Sequence, residues 1–100
     1  MIEFVEVERI IRCQGESNYT HIYFEGKKPL LVAKTLVEFE DLLREYNFVR
    51  VHKTHLVNLK HVSAYSRNDG GRIILSNGDE VAVSRRRKEL VKEKLRLIVP

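Results

Sequence analysis

The sequence of 100 residues has a single cysteine, two prolines and no apolar run near the roughly 18 residues that a transmembrane helix requires. Because Cys13 has no second cysteine to bond, an internal disulfide is excluded, which fits a reducing cytoplasm. We interpret Cys13 as a small buried hydrophobic residue. The N-terminal residues also lack the basic and apolar regions of a secretory signal. We therefore expect a cytoplasmic protein with no membrane among its partners.

Sequence motifs for catalysis and metal binding are missing as well. The chain has no G-x-S-x-G elbow, phosphate-binding loop or pattern of paired carboxylates. His52, His55 and His61 lie close in sequence, but no cysteine pair or neighbouring carboxylate accompanies them. On one extended segment, the odd spacing would place His52 and His55 on opposite faces. We therefore expect no enzyme, no metal site and no cofactor.

Positive charge, in contrast, is concentrated near the C-terminal end. The segment 85–96 carries seven basic and two acidic residues, a net charge of +5, while the whole chain sums to +4. Such asymmetry indicates a polyanionic partner, either nucleic acid or an anionic membrane surface. The alternative is an ordinary solvated helix face, and charge alone does not decide between them.

The hydrophobic pattern predicts one α+β domain over residues 1–100, dominated by seven or eight short strands in antiparallel hairpins. Two short flanking helices are expected at about 35–46, where Thr35 and Glu38 form a capping box, and at about 85–96 after the cap Ser84. Asn77 and Gly78 predict a type I′ turn. The strands are expected within 3–12 and at 19–24, 30–33, 48–51, 56–59, 60–66, 72–76 and 80–83.

Apolar residues at helical spacing predict which face of each helix is buried. The outer face of the first helix is acidic, so we expect it to repel phosphate and to lie away from any nucleic acid. The buried stripe of the first helix is expected to contain Leu36, Phe39, Leu42, Leu43 and Tyr46, and that of the second Leu90, Val91, Leu95 and Ile98.

Polar and basic residues interrupt the strands at three places. The bridge 52–55 lies between two β runs, and burying its polar groups unpaired would cost about 1–3 kcal/mol each, so it should face solvent or a ligand. The cluster 84–88 follows the last strand, and Asn18 lies in an early turn. A β scaffold can bring several loops to one edge. The two helices are too far apart in sequence for a helix-turn-helix, while Tyr19 and Tyr23 leave binding of RNA open.

The sequence resembles the LytTR family of bacterial DNA-binding domains over nearly the whole chain. The most specific match is the segment 48–59, which carries the pattern R-x-H-[RK]-[ST]-x-[LI]-V-N. Weaker matches, in chain order, are Asn18-Tyr19-Thr20, Lys34-Thr35-Leu36, Glu38-Phe39, Leu42-Leu43, Gly70-Gly71, Leu75 and Val81-Ala82-Val83-Ser84-Arg85-Arg86.

The resemblance implies an elongated fold of three small antiparallel sheets that inserts loops into successive major grooves of double-stranded DNA. It places base-facing residues at Asn18, Lys53 and Arg85. It places contacts to the DNA backbone at Thr54, Arg86 and Lys88, and mainly structural roles at Arg50, His52 and Asn58.

The resemblance also implies the partners of the domain. Members usually follow a phosphate-accepting receiver domain and bind direct repeats as dimers, so we expect a monomer in isolation and a homodimer on DNA. The function expected is that of the output domain of a transcription regulator of the response-regulator type. The alternative is an interaction module that binds polyanions or acidic proteins through Arg85–Lys88 without sequence preference.

Overall fold

Antiparallel hairpins form most of the chain in a computed structural model, which describes residues 4–96. The predicted β-dominated α+β architecture with two helices is confirmed, and the molecule is elongated, with extents of 42 × 25 × 23 Å. The strands are β1 Ile10–Glu16, β2 Tyr19–Phe24, β3 Lys27–Val32, β4 Phe48–His52, β5 His55–Asn58, β6 Val62–Ser66, β7 Arg72–Leu75 and β8 Glu80–Ala82; the α-helices are α1 Leu36–Leu42 and α2 Lys88–Arg96.

The eight strands form two sheets within residues 4–96, not the three that the resemblance implied. One sheet has the order β3-β2-β1-β5-β4, and the other has the order β6-β7-β8. The reason is the pairing of β1 with β5, in which Cys13 lies opposite Leu56. This pairing joins the hairpin β4–β5 to the first three strands as a single five-stranded sheet.

Each face of the five-stranded sheet is covered by a different layer. On one face, α1 packs through Leu36 and Leu43 against a core that includes Leu56. On the other face, Val57 belongs to a core that the three-stranded sheet and Val91 of α2 complete. The α1 helix and the three-stranded sheet therefore lie on opposite sides of the five-stranded sheet.

The capping box of α1 forms as predicted, but both helices are shorter than expected. Glu38 accepts a hydrogen bond from the Thr35 amide at 2.7 Å. After Leu42 the chain continues as a 3₁₀ turn, Arg44–Tyr46, and Asn47 adopts the expected left-handed conformation. The prediction that Leu42 and Tyr46 are buried is wrong; they are 60% and 51% exposed. The tighter turn rotates Tyr46 away from the helical stripe, whereas Leu42 lies about 100° around the helix from the buried Leu43.

The second helix begins later than predicted. Arg85–Arg87 form a 3₁₀ turn, and α2 starts at Lys88. Ser84 makes no side-chain cap, so that prediction is wrong, and Leu90 is 51% exposed although Val91 is buried. The expected apolar residue Ile98 lies outside the described residues. No helix within the described part of the chain combines the length and apolar character needed to cross a membrane.

Two turn predictions are corrected by the backbone. Gly78 has a positive φ of 90°, but Asn77 does not, so the turn between β7 and β8 is not type I′. Instead, Asn77 accepts a hydrogen bond from the Asp79 amide at 3.0 Å, which closes a longer connection. The first strand also begins later than expected, because Val7–Arg9 form a 3₁₀ turn before β1.

Candidate nucleic-acid interface

Three segments lie side by side at one end of the five-stranded sheet: the turn 17–18, the turn 53–54 and the segment 84–88. We call this end the loop edge. The Gly15 amide donates a hydrogen bond to the Thr54 carbonyl at 2.9 Å, which places the first two turns next to each other. The Ser84 amide donates to the Val51 carbonyl at 2.8 Å, which places the third segment beside the end of β4.

The loop edge brings together the three residues predicted to face bases. Asn18, Lys53 and Arg85 each lie in a different segment of the edge, and all three side chains are exposed. Adjacent strands are about 4.8 Å apart, so the backbone positions of the three segments span roughly 17 Å. Of the predicted backbone contacts, Arg86 is also exposed, whereas Thr54 and Lys88 are partly buried.

Lys88 leans toward the three-stranded sheet. A Cβ atom built on Gly71, just before β7, would lie 3.5 Å from Lys88 Cε, so the aliphatic part of the lysine packs beside this glycine. An added side chain at Gly71 would also meet the Tyr65 hydroxyl at 2.6 Å, which excludes any larger residue there. The ammonium group of Lys88 therefore extends from a packed stem.

Arg50 holds the turn 53–54 in shape, which confirms its predicted structural role. Its Nε donates to the His52 carbonyl at 3.0 Å, and a terminal nitrogen donates to the Lys53 carbonyl. Its Nη1 donates to Glu40 on α1 at 2.8 Å. The sequence did not identify Glu40 as a partner of Arg50. Glu40 belongs to the acidic face of α1, and nothing in that pattern indicates that its side chain turns toward the sheet.

His52 supports the same turn through its imidazole ring, as predicted. The Thr54 amide donates to His52 Nδ1 at 3.2 Å, and the Thr54 hydroxyl lies 3.0 Å from the same nitrogen. The prediction that His52 and His55 lie on opposite faces is wrong. The chain reverses between them, they pair across the hairpin, and their ring centroids are 5.5 Å apart. No three potential metal ligands cluster within residues 4–96.

His55 adds no positive charge to the loop edge at neutral pH. Burial, followed by the nearby charges of Arg12 and His52, lowers its pKa from 6.5 to about 4. Its Nδ1 is buried and has no hydrogen-bond partner among the described residues, as is also true of the Ser84 hydroxyl. The ring is thus neutral and packs behind the turn.

Asn58 is structural, as predicted, but it acts at the far end of β5. Its Nδ2 donates to the Ile10 carbonyl at 2.9 Å, and its Oδ1 accepts from the Lys60 amide at 3.0 Å. The side chain is 1% exposed, so these bonds satisfy an amide that would otherwise be buried without partners. Asn58 anchors β5 to β1 rather than shaping the bridge.

Free cations dominate the electrostatics of the loop edge. Lys53, Arg85 and Arg86 form no ion pair with any residue in the range 4–96. Burial, and after it the charges of Arg86 and Arg50, lowers the pKa of Arg87. The carboxylate of Glu16, close to the first turn, lies 2.8 Å from His21 Nε2. The Glu16 side chain is 75% exposed, so it adds one negative charge at this edge, which the cations outnumber.

The unpaired cations and the amide along this edge are groups of the kind that contact the phosphates and bases of nucleic acids. The sequence model of the LytTr DNA-binding domain matches residues 1–96. The chain therefore belongs to the LytTR family of DNA-binding domains, whose function is to bind DNA and regulate transcription.

A solved structure shows the same fold. It is described as the LytTr DNA-binding domain of a methyl-accepting/DNA response regulator from Bacillus cereus, and it superposes with a TM-score of 0.82 at 24% sequence identity. The match covers 91% of this chain and 84% of the other. A search of the curated proteins finds no match.

Proposed function

We propose that residues 1–100 form the output domain of a bacterial transcription regulator of the response-regulator type, which acts in the cytoplasm. The domain binds double-stranded DNA sequence-specifically by inserting the loop edge into successive major grooves. The observation that carries this proposal is the pair of hydrogen bonds, Gly15 to Thr54 and Ser84 to Val51, that aligns Asn18, Lys53 and Arg85 on one edge.

The three base-facing residues have complementary chemistry. Arg85 can form two hydrogen bonds with one guanine, and Asn18 can do the same with one adenine. Lys53 supplies a charge with rotating donors and lacks the planar fork of arginine, so its base preference is weaker. Each good base contact supplies about 1–3 kcal/mol of discrimination against a wrong base.

The backbone contacts differ in strength. Arg86 is exposed and unpaired within the described residues, so it binds phosphate most readily. Lys88 reaches phosphate from its packed position, and Thr54 does so only by withdrawing its hydroxyl from His52 Nδ1 at 3.0 Å. We therefore rank their contributions in that order.

The backbone positions of the loop edge span roughly 17 Å, about half of the 34–36 Å that separates successive major grooves on one face of the double helix. Insertion into two grooves therefore requires the outer side chains to reach beyond the edge and the DNA to bend toward it. We further propose that the domain is a monomer in isolation, pairs on direct repeats of DNA and follows a receiver domain in its full-length regulator.

The test compares Arg85→Ala with Lys88→Ala. Duplexes are first selected from a random pool with the wild-type domain, and binding to selected and random duplexes is then titrated at two salt concentrations. Arg85→Ala should lose about 1–3 kcal/mol of preference for the selected sequence. Lys88→Ala should weaken both duplexes equally and reduce the salt dependence by about one phosphate contact.

Two results would contradict the proposal. Equal losses on both duplexes for both variants would favour the non-specific polyanion module centred on Arg85–Lys88. Competition by A-form RNA as strong as by B-form DNA would favour an RNA ligand. Thermal unfolding of each variant must match the wild type, so that lost binding is not lost structure.

A further inference from the structure

Lys34 emerges from the five-stranded sheet at the same end as the loop edge. Strand β3 runs antiparallel to β2, and Val32 lies opposite Thr20. Thr20 is the second residue of β2, directly after the turn 17–18. The residues that follow Val32 therefore leave the sheet beside Asn18, on the side away from Lys53.

The backbone of Lys34 is held in place although it lies in a bend. Its amide donates to the Val32 carbonyl at 2.8 Å, and its own carbonyl accepts from the Thr20 hydroxyl at 2.7 Å. Thr20 is fully buried, so this anchor is shielded from water. A lysine placed in this way starts from a defined point, and only its side chain has to be ordered by a ligand.

The ammonium group of Lys34 is exposed and makes no ion pair with the described residues. The nearby carboxylate is that of Glu38, whose Oε2 accepts hydrogen bonds from the Thr35 amide and hydroxyl. Those bonds lead the causes that lower the pKa of Glu38, and the charge of Lys34 adds to them. Glu38 is therefore committed to the helix cap, and Lys34 keeps its donors.

We propose that Lys34 adds a fourth segment to the DNA-binding edge and binds a backbone phosphate on the outer side of Asn18. This inference rests on the proposed function. The segment lies about one and a half strand spacings, or roughly 7 Å, from the centre of the turn 17–18. The major groove is about 12 Å wide, so a side chain at that distance from a residue in the groove reaches the phosphates along its wall.

The same strand supplies a matched control in Lys28. It is exposed and carries the same charge, but it lies near the turn between β2 and β3, at the opposite end of the sheet. Lys34→Gln should weaken binding to selected and random duplexes about 3–10-fold and reduce the slope of log K against log salt by about 0.9. Lys28→Gln should leave the affinity and the slope unchanged for both duplexes, and Lys34→Arg should retain binding.

Equal effects of Lys34→Gln and Lys28→Gln would overturn the inference, because they would show only the loss of net charge. So would wild-type binding by Lys34→Gln. Measuring Arg85→Ala in the same titration separates the two proposals. If Arg85→Ala loses its preference and Lys34→Gln does not change binding, only the contact at Lys34 fails; if Arg85→Ala keeps its preference, the proposed function fails.

Discussion

The turns 53–54 and 76–79 both reverse a β-hairpin, yet they use their polar side chains in opposite ways. The turn 53–54 is held by neighbours in the flanking strand, Arg50 and His52, and Lys53 remains exposed. In the turn 76–79, the turn residues themselves make the bonds: Asn77 binds Asp79, and Asp79 binds Arg12 at 3.0 Å.

This difference separates a turn that can bind a ligand from one that serves the fold. A side chain that already satisfies its own turn has no donor left without breaking that turn. When the strand supplies the support, the turn keeps its shape and its tip stays free. The turn 53–54 is therefore suited to recognition, and the turn 76–79 to joining the two sheets.

The largest expected effect comes from removing the support of the turn 53–54. Arg50→Met should reduce the free energy of unfolding by about 2–4 kcal/mol, because two carbonyls and partly buried Glu40 lose a charged donor. The selected duplex should lose more affinity than the random one, since Lys53 is no longer held in register. Chemical denaturation and the duplex titration measure the two effects.

Arg50→Lys is the matched control for that change. Lysine keeps the charge but cannot donate to His52, Lys53 and Glu40 from one planar group, so it should recover only part of the stability. Full recovery by lysine would mean that charge, rather than the fork of hydrogen bonds, supports the turn.

The next largest effect is expected in the other turn. Asp79→Asn should lower the free energy of unfolding by about 1–2 kcal/mol, because the Arg12 side chain is only 11% exposed and loses its charged partner. Part of the interaction remains, since the Arg12 guanidinium also lies 3.8 Å from the centre of the Tyr23 ring. DNA binding below the unfolding temperature should not change.

An exposed ion pair provides the comparison for Asp79. Asp41 and Arg44 form an i,i+3 pair whose side chains are 64% and 73% exposed. Asp41→Asn should change stability by less than about 0.5 kcal/mol. A similar loss of stability for both variants would show that burial does not distinguish the two ion pairs. It would also contradict the structural role assigned to the turn 76–79.

The sequence predicted the local features that depend on neighbouring residues. The capping box of Thr35 and Glu38 needs only three residues of spacing, and the left-handed Asn47 follows from its side chain. The strand Tyr19–Phe24 was predicted with its observed bounds because branched and aromatic residues make up all of it except His21.

The failures that concern the assembly of the fold depend on contacts distant in sequence. The merging of two hairpins into one sheet requires the pairing of β1 with β5, which no local pattern encodes. Likewise, nothing in the sequence indicates that Glu40 supports Arg50 or that Asp79 meets Arg12, 67 residues away. The basic and amide residues of the loop edge could be selected from sequence, but their common edge follows only from the strand register.

An effect smaller than that of Asp79→Asn should appear in the pH dependence of stability, through His55 behind the turn 53–54. In the folded domain burial holds its pKa at about 4, whereas its ordinary value is 6.5. Between these values the unfolded chain binds more protons than the folded one, so stability falls as the pH falls from 6.5 to 4. Since the ring is partly exposed, we expect a loss of about 1 kcal/mol across that window.

Denaturation of the wild type and of His55→Gln at pH 7 and at pH 5 measures this effect. Because glutamine does not titrate, the variant should have the same free energy of unfolding at both pH values. Titration of the carboxyl groups of Asp79 and Glu38 does not account for a difference in stability between pH 7 and pH 5. Their pKa values are lowered from 3.8 and 4.5, so the stability that they supply is lost mainly below the window. If the variant keeps the full loss between pH 7 and pH 5, His55 is not the group that titrates, and the ring behind the recognition turn is better solvated than its buried Nδ1 indicates.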